Sequence, residues 1–451
     1  MPLEVLIVGA GVAGPALATL LLRADPSHSI TIIERAAKLR QDGLQIDLRA
    51  QGLPVVRKMG LMPTLRQHVV AEDGFAIVDA QGRVWGSIGK NDSGRGQQSM
   101  TSEWEIMRGD LVRVLYDASL AESKKAAASG KGGGVKYAFN TAITGLYQDL
   151  RADSKVTVTL SDGSERRYDL VVGADGQWSK TRRLLFGEDA STAMFRPLHL
   201  SIAYYTVPRD PSSTDAVARW CSHPGRRSVV TRAACAPSAR DKPPRTQVYL
   251  AHYMPPASST PAKGDIAQRA RTRSPEDQKR AWARAFADLA GSDDVVAQLE
   301  DAGDFYAHEI GQVKCARVAE GRVALLGDAG YCPAPVTGMG TTNSLVGAYV
   351  LAGELASMKR KGQGDGEGEG DVVAALEAYD RVVRPYVDEA QKLMPGIPWI
   401  AYPETWWGVL LLNLVFRLLT WFRIIDLFVR LMPEDKGGLA IPEYPELNLE
   451  P

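Results

Sequence analysis

"LEVLIVGAGVAGPALATLLLRADPSHSITIIER", residues 3–35, decides the fold. An apolar run breaks at Gly9, Gly11 and Gly14, continues in a helical pattern, and closes on a β-branched run ending at Glu34. The pattern predicts one βαβ unit. Each residue of the GxGxxG has a physical task. Gly9 makes the tight turn, Gly11 lets backbone approach a pyrophosphate at a helix N-terminus, and Gly14 allows helix and strand to pack closely. Glu34, 20 residues after Gly14, can accept ribose hydroxyls. Arg35 beside it suits an adenosine 2′-phosphate, which the Glu34 carboxylate disfavours. A ligand-free strand-to-helix turn needs the same glycines, and Pro15 is tolerated in either case because it sits in the first helical turn.

Length and charge bound what surrounds this unit. A chain of 451 residues predicts two to three domains, or one nucleotide-binding domain with insertions. With 45% hydrophobic and 24% charged residues, and 53 basic against 53 acidic groups, no polyelectrolyte partner is expected and nucleic acid binding is disfavoured. Cys221, Cys235, Cys315 and Cys332 form no CxxC pair, so neither a metal site nor a disulfide framework is predicted. The start runs straight into a strand without a signal-peptide pattern, which leads to the expectation of a cytoplasmic protein.

Two further glycine-rich segments follow apolar strands. In "YDLVVGADGQWSKTRR", 168–183, Asp175 and Gly176 end a buried run, a pattern shared with an ordinary DG turn. In "GRVALLGDAGYCPAPVTGMGTTN", 321–343, Asp328 stands at the strand end before a loop with Pro333, Pro335, Gly338 and Gly340, where it can also cap a helix. Between about 195 and 256 the runs "HLSIAYYTV", "RSVVTR" and "TQVYLAHYM" predict a separate sheet, and "QKRAWARAFADLA" predicts a helix after it. The stretches 124–134 and 361–371 are expected to be solvated loops.

The order GxGxxG, DG, GD, spanning residues 3–395, resembles the class A flavoprotein monooxygenases, the group of para-hydroxybenzoate hydroxylase and the tetracycline-inactivating monooxygenases. The resemblance implies an α/β fold: a Rossmann-like FAD-binding domain in three parts (1–75, 106–190, 305–395), with substrate-domain strands at 76–105, a β-sheet substrate domain at 191–304, and a C-terminal apolar helix and tail at 396–451. It further implies that Asp328 bonds the ribityl chain of FAD and that the loop with Pro335, Gly338 and Gly340 approaches the isoalloxazine. Arg108 in "MRGDLVRVL" is implied to contact FAD, and Asp175 to serve both FAD and the nicotinamide of NADPH or NADH. Gln177, Trp178, Tyr331 and Cys332 depart from the family pattern. The implied reaction runs through a flavin C4a-hydroperoxide and hydroxylates an aromatic or polycyclic secondary metabolite. Epoxidation, Baeyer–Villiger oxygenation, and a non-oxygenating oxidoreductase or cyclase are the alternatives; a halogenase signature is missing. For groups orienting substrate, the resemblance places Asp47 and Gln45 of "GLQIDLR" near the ring, and Arg226 and Tyr205 lie on the predicted sheet.

"WWGVLLLNLVFRLLTWFRIIDLFVRLM", 406–432, is not explained by these motifs. It is long enough to cross a bilayer, which takes ~20 apolar residues. Arg417, Arg423, Asp426 and Arg430 interrupt it and, with Asn413 and Thr420, share half of the helical circumference. The favoured expectation is a helix packed on the protein body and held by the tail beyond it. Peripheral membrane contact or a dimer contact are the other readings.

Overall fold

The computed structural model describes residues 2–40, 43–70, 72–89, 103–150, 154–209, 215–233, 244–255, 274–289, 293–361, 371–393, 396, 398–422, 424 and 439–449. Cys235, Arg423, Asp426 and Arg430, and most of 361–371, lie outside them.

The strand Glu4–Val8 pairs in parallel with Ser29–Ile33 on one side and Leu170–Gly173 on the other. Val323–Leu325 and Gly134–Ala138 extend the same sheet in parallel, and the short strand Ala319–Glu320 finishes one edge antiparallel. Alternation of side chains along the central strand sets the layers. Val5 and Ile7 pack in the core built by the helices Ala13–Ala24, Arg108–Ala128, Gly340–Lys361 and Val372–Ala390. Leu6 and Val8 pack against the antiparallel strands Ile143–Tyr147, Val156–Leu160 and Glu165–Tyr168. The glycine turn is sterically obligatory at two places. A Cβ on Gly14 would meet the Gly9 carbonyl oxygen at 2.2 Å, and one on Gly9, whose φ is 114°, would meet that of Ala174 at 2.4 Å.

The helix Arg108–Ala128 corrects the expected loop at 124–134. Lys124, Lys125 and the three alanines after them are good helix formers, and the chain turns only at Gly130 and Gly132, with φ of 70° and 76°.

The second unit is a seven-stranded sheet in the order Tyr306–Val313, Phe195–Pro208, Arg245–Tyr253, Arg227–Ala233, Val217–His223, Gly74–Val78, Val84–Gly89. Tyr306–Val313, expected in the third part of the first domain, is instead an edge of this sheet, because it ladders antiparallel with Phe195–Pro208. The outer face carries Ala203, Tyr205, Val207 and Val248, covered by Trp282 and Phe286 of the helix Pro275–Phe286. The inner face turns toward the first unit.

The C-terminal helix Trp406–Trp421 is capped by Thr405, whose hydroxyl accepts from the Gly408 N–H at 3.2 Å. It lies close over the strand Val84–Gly89 at Gly86, where a Cβ would meet the Thr420 hydroxyl at 2.6 Å. The tail returns to the helix layer: the Tyr349 hydroxyl donates to the Pro442 carbonyl at 2.9 Å, the Tyr444 hydroxyl donates to Glu354 at 2.7 Å, and Leu447 is buried. No described helix is long and apolar enough to cross a membrane.

Candidate active site

Arg108 stands where the units meet. It starts its helix right after the strand Glu105–Met107, with its N–H donating to the Leu44 carbonyl at 3.1 Å. Its guanidinium is the nearest group to Gly11, 3.8 Å from where a Cβ would stand, and its Cβ and Cδ lie 3.3 Å from the corresponding point on Gly43. Gly11 therefore faces open space in a way that Gly9 and Gly14 do not.

The carboxylate of Asp328 faces the start of the helix Gly340–Lys361, with Oδ1 3.7 Å from a Cβ built on Gly340. It does not cap the short helix Asp328–Tyr331, whose N-cap is Gly327 without a side-chain bond. Burial pushes the Asp328 carboxyl above its ordinary value, opposed by the Arg108 guanidinium. Ala334 holds φ 76° between Pro333 and Pro335, an unusual backbone for a residue with a Cβ, and Pro335–Thr337 forms a 3-10 turn closed at Gly338. In the first turn of the following helix the Thr342 hydroxyl donates to the Arg49 carbonyl at 2.8 Å. The buried Asn343 Nδ2 has no partner among the described residues.

Glu34 is buried, and its carboxylate accepts from the Ala10 N–H at 3.1 Å and the Ala36 N–H at 3.0 Å, tying the second strand to the glycine turn. Arg35 is exposed. The Asp175 carboxylate points into its own helix start, accepting from Ser179 Oγ at 2.5 Å and from Thr181 N at 2.9 Å. The DG segment also supplies Arg182, which sequence reading overlooked. It is buried, and its guanidinium donates to Ala329 O at 2.7 Å, Gln177 O at 2.9 Å and Ser191 Oγ at 3.0 Å. The signal was its spacing after Asp175 and Ser179 in "DGQWSKTR".

On the inner sheet face, Tyr204 stacks on Tyr306 and His308, at centroid distances of 4.9 and 5.6 Å, and meets Tyr249 edge-on at 5.0 Å. Burial, with the Arg108 guanidinium adding, pushes the His308 imidazole down to about 4, so it is neutral. Next to this wall a polar cluster joins the units. The Gln45 side-chain amide donates to Glu105 at 3.0 Å and Glu72 at 3.2 Å, and accepts from Gln247 at 2.8 Å. Arg232 forks onto Glu72 at 2.6 and 2.8 Å and lies 3.3 Å from Glu105. Burial raises the Glu105 carboxyl, with Arg232 opposing and Asp47 and Glu72 adding. The Tyr249 hydroxyl donates to Gln247 Oε1 at 2.8 Å. Asp47, buried beside this cluster, is ion-paired with Arg49.

Two nominated residues fall elsewhere. Tyr205 is on the outer face, its hydroxyl donating to the Val295 carbonyl at 2.9 Å; Tyr204 holds the inner position, because neighbours along a strand face opposite ways. Arg226 sits at φ 63° in a turn, donates to Glu404 at 2.8 Å and lies over Tyr253. It fastens the segment that leads into the C-terminal helix, so the placement supports a structural role in place of the nominated one.

The comparisons agree with this geometry. The model of the FAD binding domain family matches residues 2–370. The FAD-dependent monooxygenase asL6 of Sarocladium schorii is 37% identical over 456 residues, covering 100% of each chain. The flavin-dependent monooxygenase eupH of Phoma sp is 35% identical over 418 residues, 90% of this chain and 89% of the relative. Among solved structures, tetracycline destructase Tet(51) is similar with a TM-score of 0.68 and 25% identity, covering 98% of this chain and 100% of that one. The chain therefore belongs to the FAD binding domain family, and it is a class A, FAD-dependent flavoprotein monooxygenase.

Proposed function

We propose that the enzyme uses NADPH or NADH and dioxygen to hydroxylate an aromatic or polycyclic secondary metabolite held against the inner face of the seven-stranded sheet. The observation that carries this reading is the aromatic wall beside Arg108, in which Tyr204, Tyr306 and His308 lie nearly parallel and Tyr249 meets Tyr204 edge-on. Such a wall suits a planar ring system. Tet(51), whose name points to a polycyclic compound, supports the same substrate class.

The residues fit FAD. Open space at Gly11 and the unpartnered Asn343 amide are what a cofactor would fill. In this reading the turn of Gly9, Gly11 and Gly14 takes the pyrophosphate, and Glu34 and Arg35 flank the adenosine ribose. Arg108 and Asp328 hold the ribityl side, while Pro335, Gly338, Gly340 and Asn343 border the ring. FAD bound there supplies hydride acceptance from the nicotinamide and oxygen transfer to the substrate. Asp175 acts through the backbone it positions, since its carboxylate is engaged by Ser179 and Thr181. Asp47, steadied by Arg49, orients substrate from the cofactor side of the wall. The aromatic wall and the Gln45 cluster exclude water from the reacting atoms.

The test is a panel of polycyclic aromatic compounds given to the flavin-loaded enzyme under labelled dioxygen. A substrate should accelerate NAD(P)H oxidation and gain one labelled oxygen atom. Label drawn only from water, or a dehydrogenated product without added oxygen, would overturn the reading in favour of a non-oxygenating flavin enzyme.

A further inference from the structure

The C-terminal helix Trp406–Trp421 is apolar on both sides, and the described residues cover only one of them. Toward the body it turns Leu412, Asn413, Phe416 and Thr420, with Asn413 its one buried residue. Asn413 and Thr420, two of the polar residues that share half of the circumference, thus lie on the side that faces protein. The opposite side exposes Trp406, Trp407, Leu411, Leu414, Leu418 and Trp421, the first and last at 69% and 74% exposure. A helix that is apolar all round belongs inside a protein or in contact with lipid. Here the uncovered half is a continuous stripe far larger than the scattered apolar residues of an ordinary surface.

We propose that this stripe docks the enzyme on a lipid bilayer surface, with the helix lying in the plane of the interface. Two observations favour lipid. Tryptophans stand at both ends of the stripe with leucines between them, the distribution of side chains that settle at the headgroup level. The helix carries no carboxylate, and its single charged residue, Arg417, lies over Trp85 at the edge where it can meet an anionic headgroup.

The placement also has a consequence for catalysis, which rests on the function proposed above. Tyr402, four residues before the helix, packs with Leu200, Tyr253 and Ala334 on the inner side of the sheet. Docking would therefore bring one margin of the substrate face to the bilayer, where an apolar polycyclic compound is dissolved.

The test needs no turnover, so it can fail or succeed independently of the oxygenation reading. Flavin-loaded full-length protein is floated with phosphatidylcholine vesicles, with and without phosphatidylserine, and its oligomeric state is measured by light scattering. The protein should float with vesicles, more so with phosphatidylserine. The double variant Leu411→Glu/Leu418→Glu should lose bound fraction about ten-fold or more, since each leucine would otherwise be buried in lipid. Its flavin content should match the parent, because both side chains are exposed. A protein that floats with neither vesicle, or a variant that floats equally well, overturns the proposal. A concentration-dependent dimer abolished by the double variant, without vesicle binding, would assign the stripe to a second copy instead.

Discussion

Arg182 Nη1 donates to the carbonyl of Ala329 at 2.7 Å across 147 residues of sequence, locking the DG segment to the GD turn. The other guanidinium nitrogens are held by Gln177 and Ser191. Arg182→Met keeps the bulk and leaves three acceptors, two of them buried, without their donor, at a cost on the order of 3 kcal/mol. Denaturant unfolding should show the loss, together with faster FAD release. Arg182→Lys, lacking the fork, should recover less than half. Parental stability in the Met variant would mean that the bridge contributes nothing.

The glycine turn separates packing from cofactor binding. Gly14→Ala places a methyl 2.2 Å from the Gly9 carbonyl oxygen and should prevent folding. Gly11→Ala meets only Arg108 Nη2 at 3.8 Å, so the apoprotein should melt like the parent while FAD affinity falls about ten-fold or more. Asp328→Ala should lower occupancy in the same assay. Undiminished flavin content in Gly11→Ala would place the pyrophosphate elsewhere.

The tandem Tyr204 and Tyr205 give opposite expectations. Tyr205→Phe loses one hydrogen bond to Val295, worth about 1 kcal/mol, and should leave substrate KM unchanged. Tyr204→Leu removes a ring from the inner wall and should raise KM with flavin content unaltered. Steady-state kinetics on both variants decide the matter; a KM effect from Tyr205 alone would reverse the assignment of faces.

His308 makes stability depend on pH. Its folded pKa, about 4, lies below the unfolded value of about 6.5, so between the two the unfolded state binds more protons and stability rises with pH. The contribution is fully present above pH ~6.5 and fades as pH falls toward about 4; allowing for partial solvent access, its size is on the order of 1–2 kcal/mol. His308→Gln should flatten that part of the profile. His223, pushed down to about 4 by burial and Arg227, adds a slope of the same sign that persists in the variant. Identical slopes for parent and variant would show that His308 titrates normally.

What was legible in the sequence was local. The GxGxxG, DG and GD segments are each strand ends followed by turns, and their glycines and carboxylates act within a few residues of where they stand. Residues whose meaning depends on distant chain were not legible. Gln45, Glu72, Glu105, Arg232 and Gln247 come from five separate segments, and nothing in any one of them announces the cluster. Tyr204 and Tyr205 could not be told apart because a shift of one residue reverses a strand's faces. In the C-terminal helix, the polar residues that share half of the circumference did not tell which side would be covered, because Asn413 and Thr420 lie on the covered side among apolar neighbours.

That helix and its tail are fastened at separate places, which truncations can resolve. The helix covers Phe75 and Ile77 on the sheet through Phe416, and the tail covers the helix layer, where the Tyr444 ring lies against Gly353. A Cβ on Gly353 would stand 2.2 Å from that ring, so Gly353→Val should release the tail alone. The released protein should lose the Leu447 and Tyr444 burial, about 2–4 kcal/mol by apolar area, yet keep its sheet surface closed. Truncation before Trp406 uncovers both places, and the product should aggregate or lose activity in lipid-free buffer. Size-exclusion chromatography and flavin content distinguish the two variants. A truncated enzyme that stays monomeric, flavin-loaded and fully active would show that neither the helix nor the tail supports the fold.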